Sequence, residues 1–223
     1  MPVISDDERR RHAEEREQRE RDTEIARCWH EVATDMGRRY HDCRIDNFEF
    51  HGTAEEQARQ KDVIRKCSDY ADDIVNRVAS GVGIVLFGPP GSGKDHIMAA
   101  LIKRAIDCGL KVKWINGLDF FGNMRDSMDS ETTEESIFRH LATPAVLAIS
   151  DPLPPWGPLT TFQSQTMFRL IDRRYRKEKP IWVTANFADG NEAADRIGLA
   201  VQDRLRDRAM ALQCDWKSYR KTV

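Results

Sequence analysis

The sequence predicts an α/β fold: a parallel sheet covered by helices on both faces. Two observations carry this. Short apolar runs at Ile84–Phe87, Val112–Ile115, Val146–Ile149 and Ile181–Ala185 alternate with segments of helical periodicity at about 94–107, 118–128, 132–142 and 161–178. Apolar strands with no in–out alternation are buried on both faces, and strand–helix alternation is how parallel strands are joined. In addition, the first strand runs into the glycine-rich turn GPPGSGKD, residues 88–95, and directly on into a helix.

Composition bounds the rest. The 223 residues suffice for one substantial domain and an appendage. Hydrophobic residues make up 40% and charged residues 32%, with a net charge of −2, so any nucleic-acid contact would need a local patch because the chain has no global basic field. No apolar run is long enough to cross a bilayer, and no signal-peptide core is visible at the N-terminus; the expectation is a cytoplasmic protein without membrane contact. Cys28, Cys43, Cys67, Cys108 and Cys214 form no CxxC pair and are read as free thiols. A zinc site from Cys28, Cys43, His30 and His41 has irregular spacing against it.

From the N-terminus, residues 1–37 read as a charged helical extension open to partner docking. Residues 5–24 are almost devoid of apolar side chains, and Glu15–Arg19 and Glu17–Arg21 can pair along a helix that frays or awaits a partner. Ile25, Cys28, Trp29, Val32 and Met36 then recur at helical spacing, a stripe that packs on the chain's own core or docks another protein, and Gly37 can end the helix. Residues 38–80 comprise an irregular connector with aromatic anchors and a helix over about 55–79. Residues 81–223 hold the alternating core, closed by a helix over about 192–208 and a last strand at Met210–Cys214; no internal repeat is visible.

The turn at 88–95 has the features of a phosphate cradle. Gly88, Pro89, Pro90, Gly91, Ser92 and Gly93 form a loop whose glycines let backbone N–H groups converge on phosphate oxygens, the helix N-terminus adds positive potential, and Lys94 brings a full charge. A working loop of this type ends in Ser or Thr, which binds the metal; here the residue is Asp95. The partner half of such a site is an acid at the end of another strand, and AVLAISDPLPP is the candidate. In one register Ser150 directs the metal and Asp151 activates water; in the other Asp151 directs the metal and Pro152 follows it. The stiff segment PLPPWGP, residues 152–158, either braces the Asp151 loop or displays Trp156.

Over about residues 38–220 the chain resembles the DnaC/IstB-type branch of the AAA+ ATPases, in RRYHDCRIDNFEF, GIVLFGPPGSGK, LIDRRYRKEKPIWVTANF, DRLRDR and WKSYR, in that order. The resemblance implies a three-layer α/β/α fold with a five-stranded parallel sheet and no separate C-terminal lid domain. It also implies that Asn186 is similar to the polar sensor of the γ-phosphate, Arg204 to an arginine finger offered to a neighbouring subunit, and Arg220 to the second sensor arginine. Arg204, with Arg206, also reads as a solvated helix charge, and Arg220, close to the C-terminus, as a fraying end. The segment GLDFFGNMRDSMDSETTEE lies where the family contacts single-stranded DNA: Phe120 or Phe121 would stack on bases and Arg125 hold phosphate, although core packing of both rings fits better beside so many acids.

The family's pattern favours the register with Ser150 in the metal-directing place. Loop and strand end have then exchanged a hydroxyl and a carboxylate, and Asp95 and Ser150 are the expected Mg²⁺ ligands. Decay is the competing account: without a cation, one like-charge contact at about 4 Å and a dielectric near 20 costs on the order of 4 kcal/mol. The expected protein binds ATP/ADP and Mg²⁺, hydrolyses ATP slowly, and uses ATP to control its grip on a replicative DNA helicase and single-stranded DNA, self-associating through Arg204. The alternatives are an IstB-like transposition helper ATPase, a nucleotide-binding regulator with little hydrolysis and, from the loop alone, a small-molecule kinase.

Overall fold

In the computed structural model, which describes residues 6–127 and 133–220, five strands form one parallel sheet. They are β1 (Gly83–Phe87), β2 (Val112–Asn116), β3 (Val146–Ser150), β4 (Ile181–Ala185) and β5 (Ala209–Gln213), in the order β2-β3-β4-β1-β5. Every neighbouring pair is parallel. β3 and β4 are buried throughout, as their unbroken apolar runs require, while β2 at one edge is half-buried.

Period-two side-chain geometry sorts each strand between two cores. Ile84, Leu86, Val146, Ala148 and Trp182 join the cluster with α2 (Ala54–Asp72) and α4 (Lys94–Asp107). Val85, Leu147, Ile149 and Val183 join the other, with α5 (Gly117–Asp126), α6 (Glu134–Ala142), α7 (Thr161–Tyr175) and α9 (Leu199–Asp207). The result is three layers, α/β/α. The helix after β1 covers one face and the helices after β2, β3 and β4 the other, so the carboxyl end of β1 is the point where the winding reverses, the place where open α/β sheets bind ligands.

Helix boundaries depart from the periodicity in three places. The expected helix over 55–79 is interrupted at Asp73 and resumes as α3 (Ile74–Ala79). The one expected over 192–208 is two, α8 (Gly190–Ile197) and α9, because Gly198 adopts φ +89°, which no helix tolerates. The one expected to reach 178 stops at Tyr175, where the backbone turns and the N–H groups of Lys177 and Lys179 both bond the carbonyl of Arg174.

The N-terminal extension is one helix, α1 (Asp6–Met36), continuous across the change of composition. Residues 7–24 are exposed, and charge pairs hold them in register: Arg19 with Glu15, Arg21 with Glu17, Arg16 with Glu20. The apolar stripe then reaches the chain's own core. Val32 and Met36 are buried, with Ile25, Cys28 and Trp29 packed beside them, and Lys113 of β2 pairs with Asp35 at 3.1 Å. The connector is anchored by Phe48, whose ring meets Trp216 and Tyr219 edge-on. All five cysteines are free, and among the described residues, which include Cys28, His30, His41 and Cys43, no three His, Cys, Asp or Glu side chains gather in a way that could hold a metal. Among the described residues no helix is long and apolar enough to cross a membrane.

Candidate functional site

The turn after β1 folds as a cradle because its glycines take backbone angles that other residues resist: Gly88, Gly91 and Gly93 have φ of +142°, +80° and +85°. At Gly91 space adds to conformation. A Cβ there would lie 2.1 Å from the Ser218 hydroxyl and 3.0 Å from its Cβ, so a side chain at residue 91 would force Ser218 of the C-terminal strap to shift. That strap, the WKSYR segment, closes the outer side of the loop: the Trp216 indole N–H donates to the carbonyl of Ser92 at 2.8 Å and the Tyr219 N–H to that of Gly91 at 2.9 Å.

Lys94, the first residue of α4, is 5% exposed and lies folded over the loop. Its ammonium donates to the carbonyls of Gly88 at 3.0 Å and Pro89 at 2.8 Å. Burial holds its pKa below the ordinary lysine value, opposed by Cys214, Asp151 and Asp95. Arg220 comes to the same place: its side chain runs 3.5 Å from where a Gly91 Cβ would be, and its charge acts on both Lys94 and Asp151.

Asp95 faces the strand ends. Its Oδ1 accepts a hydrogen bond from the Ser150 hydroxyl at 2.7 Å, so the loop carboxylate and the strand-end hydroxyl meet directly. A third residue joins them: the Thr184 hydroxyl donates to the same Oδ1 at 2.7 Å and lies 3.2 Å from the Ser150 oxygen. Asp151, just beyond β3, turns into the left-handed region at φ +46°, and the side-chain amide of Asn186 donates to its Oδ1 at 2.8 Å. Burial, then the charge of Asp95, raise the Asp151 pKa above the usual carboxylate value. The loop and the ends of β3 and β4 thus converge on a cleft of about 720 Å³, lined by residues that include Gly88, Pro89, Asp151 and Asn186.

The oxygen-only set of Asp95, Ser150, Thr184 and Asp151 suits a hard divalent cation. One or two carboxylates with hydroxyls cannot cage an ion alone, which fits a cation held jointly by protein and phosphate.

The two remaining predicted contacts are elsewhere. Arg204 lies in α9, paired with Asp172 at 3.2 Å and stacked 4.6 Å over the Phe168 ring; it has no contact with its own phosphate loop. Phe120 and Phe121 are each 2% exposed and pack in the core, so of the three residues expected to meet DNA only Arg125 is exposed; residues 128–132 of the same segment lie outside the described residues.

Two site residues escape a reading of motifs. Thr184 is the one polar residue in the strand IWVTA, a visible signal, but its partner Asp95 is 89 residues away. Arg196 gives less warning. Its guanidinium donates to the carbonyl of Asn186 at 2.7 Å and to that of Gly157 at 3.3 Å, tying Asn186 to the proline-rich loop that carries Trp156, 86% exposed.

A family model described as IstB-like ATP binding protein matches residues 5–223. The chain belongs to that family. Among relatives of this IstB-like chain, the replicative helicase loader DnaC of Buchnera aphidicola is 25% identical over 189 residues, 82% of this chain and 72% of its own length. DnaC of Escherichia coli is 25% identical over 188 residues, covering 82% and 71%. An insertion-sequence ATP-binding protein of Pseudomonas aeruginosa is 30% identical over 141 residues, covering 61% and 52%. The crystal structure of the DnaC helicase loader superposes with a TM-score of 0.67 over 79% of this chain and 99% of that one, at 19% identity. DnaI superposes at 0.61 over 82% and 94%, at 17% identity; these two likenesses establish the AAA+-type fold.

The raised pKa of Asp151 has a sign for stability. Its folded pKa lies above the unfolded value, so its favourable contribution is complete below that value, near 3.8, and is lost as pH rises through the folded pKa. At neutral pH the buried charge therefore costs stability. Asp151→Asn is expected to raise the thermal midpoint at neutral pH relative to wild type, with the gap closing as the pH falls through the folded pKa and gone once it reaches the unfolded value near 3.8. A midpoint equal to or below wild type at pH 7 would contradict this.

Proposed function

We propose that the chain is an ATP-controlled helicase loader, cytoplasmic, which uses nucleotide state to regulate its grip on a replicative helicase and single-stranded DNA. The observation that carries this is the joining of an intact phosphate cradle, Lys94 included, to a strand-end pair, Asp151 and Asn186, already hydrogen-bonded to each other. Similarity to the DnaC loaders over 82% of the chain supports the choice of partner.

In this reading the loop N–H groups, Lys94 and Arg220 bind the phosphates. Mg²⁺, when bound, would neutralise charge on the outer phosphates, with Asp95 and Ser150 holding it. Asp151 orients and polarises the attacking water, and Asn186 fixes the Asp151 carboxylate so that one oxygen remains for that work. Arg204 acts in a second copy's site, as an arginine finger released from Asp172 on assembly, and turnover is accordingly slow in the isolated chain.

The test is affinity capture of the cognate replicative helicase by the full chain, with ATP, with ADP and without nucleotide, alongside nucleotide binding and turnover. Nucleotide-dependent capture is expected; no association under any condition would overturn the loader assignment. A second reading, a transposition helper, is favoured by the 30% identity to the Pseudomonas insertion-sequence protein. It predicts assembly on duplex DNA, visible in the same preparations by sedimentation.

A further inference from the structure

We propose that Thr184 is a positioning residue for the divalent cation: together with Ser150 it pins Oδ1 of Asp95 against the sheet and leaves Oδ2 as the oxygen turned to the phosphates. The inference rests on the nucleotide-binding reading above and explains how a carboxylate can work at a position that ordinarily carries a hydroxyl.

The geometry begins in the sheet. Ser150 and Thr184 are register partners on adjacent parallel strands, β3 and β4, so their side chains stand side by side at the sheet's carboxyl end. Both are buried, at 4% and 0% exposure, which commits each hydroxyl to a partner inside the protein. Each has one proton, and each gives it to the same atom, Asp95 Oδ1, at 2.7 Å. Among the described residues Asp95 has no ion pair, and its Oδ2 accepts no hydrogen bond.

An unconstrained aspartate in the first turn of α4 could swing toward the phosphates and repel them. Two charge-assisted bonds to one oxygen remove that freedom, each roughly twice as strong as a neutral one. One donor would leave the carboxylate free to rotate about that bond; the second, 3.2 Å from the first, fixes its plane. The Thr184 backbone also takes part: its carbonyl accepts the Asp151 N–H at 3.0 Å, so one residue sets both the metal-directing and the water-directing acid. The bland reading, a threonine satisfying its own strand's carbonyls, is not what the hydroxyl does.

The test uses the full chain, Mn²⁺ as the probe cation, and ADP. Thr184→Val keeps the branched shape and deletes the donor. Mn²⁺ affinity of the protein–ADP complex, read by electron paramagnetic resonance, is expected to fall by roughly 10–100-fold, the usual loss when a residue orienting a metal ligand is removed. ADP affinity in EDTA should be unchanged, and Thr184→Ser should restore Mn²⁺ binding. If valine does not pack, Thr184→Ala serves the same comparison. Wild-type Mn²⁺ affinity in the valine variant, equal loss of ADP binding with and without cation, or failure of serine to rescue would each overturn the proposal. A wild-type chain that binds no ADP at all would instead overturn the nucleotide-binding reading, a separate outcome.

Discussion

Arg174→Ala is expected to cost at least about 4 kcal/mol of folding stability. Arg174 is fully buried and has no acidic partner; its guanidinium instead donates to four carbonyls, of Leu141 at 3.0 Å, Pro144 at 3.0 Å, Ala145 at 3.1 Å and Pro180 at 2.8 Å. These carbonyls end α6 and precede β3 and β4, so one side chain closes the amino end of two central strands. Each buried carbonyl left without a donor costs about 1–3 kcal/mol. The middle of that range for Leu141 and Pro180, whose bonds to the guanidinium are buried, already comes to about 4 kcal/mol, a large share of the roughly 5–15 kcal/mol that holds a typical domain folded. Burial pushes the Arg174 pKa down to about 10, so the group still carries its proton, and all its donors, at neutral pH. Urea unfolding measures the effect. Arg174→Lys should recover only part of the loss, since an ammonium has three donors for four acceptors. A loss below about 1 kcal/mol in the alanine variant would show that water replaces the guanidinium at little cost.

The second large effect separates exchange from decay at the cation site. Asp95→Thr restores the residue that the loop pattern calls for, yet Mg·ATP binding is expected to weaken, on the order of a hundredfold. The substitution would place three hydroxyls together, at 95, 150 and 184, and remove the carboxylate that two of them now bond. Adding Ser150→Asp returns one acid to the cluster and should recover most of the binding, so the two substitutions would be strongly non-additive, as contacting residues are. Decay makes the opposite prediction: Asp95→Thr alone relieves repulsion and tightens Mg·ATP. Calorimetry on the wild type, the two single variants and the double variant distinguishes the accounts, and tighter binding by the single Asp95→Thr variant would eliminate the exchange.

Much of this molecule was legible before any coordinates. The four central strand runs, the helix after the loop and the cradle itself follow from local rules, because hydrophobic period and glycine conformation act over a few residues. The residues alone leave two registers open at the end of β3; the resemblance to the family favours Ser150 as the counterpart of Asp95, and the direct hydrogen bond between the two side chains is visible only in the folded chain. Helix ends were less readable. The breaks at Asp73 and Gly198 sit inside good helical periodicity, and only the packed chain shows which apolar faces must turn away from each other.

What the sequence determines by itself is therefore the list of parts: alternating strands and helices, a phosphate cradle with Lys94, and an aspartate where a hydroxyl is usual. What the tertiary structure alone decides is which distant groups meet. Strand order β2-β3-β4-β1-β5 sets β4 between β3 and β1, and so brings Thr184 beside Ser150 and both against Asp95, across separations of 89 and 55 residues. It also sends Arg174 to four carbonyls and Arg196 to the carbonyl of Asn186. The physical reason is one of range: periodicity and turn chemistry are written in neighbouring residues, whereas a hydrogen bond between strand ends exists only after the sheet has chosen its order.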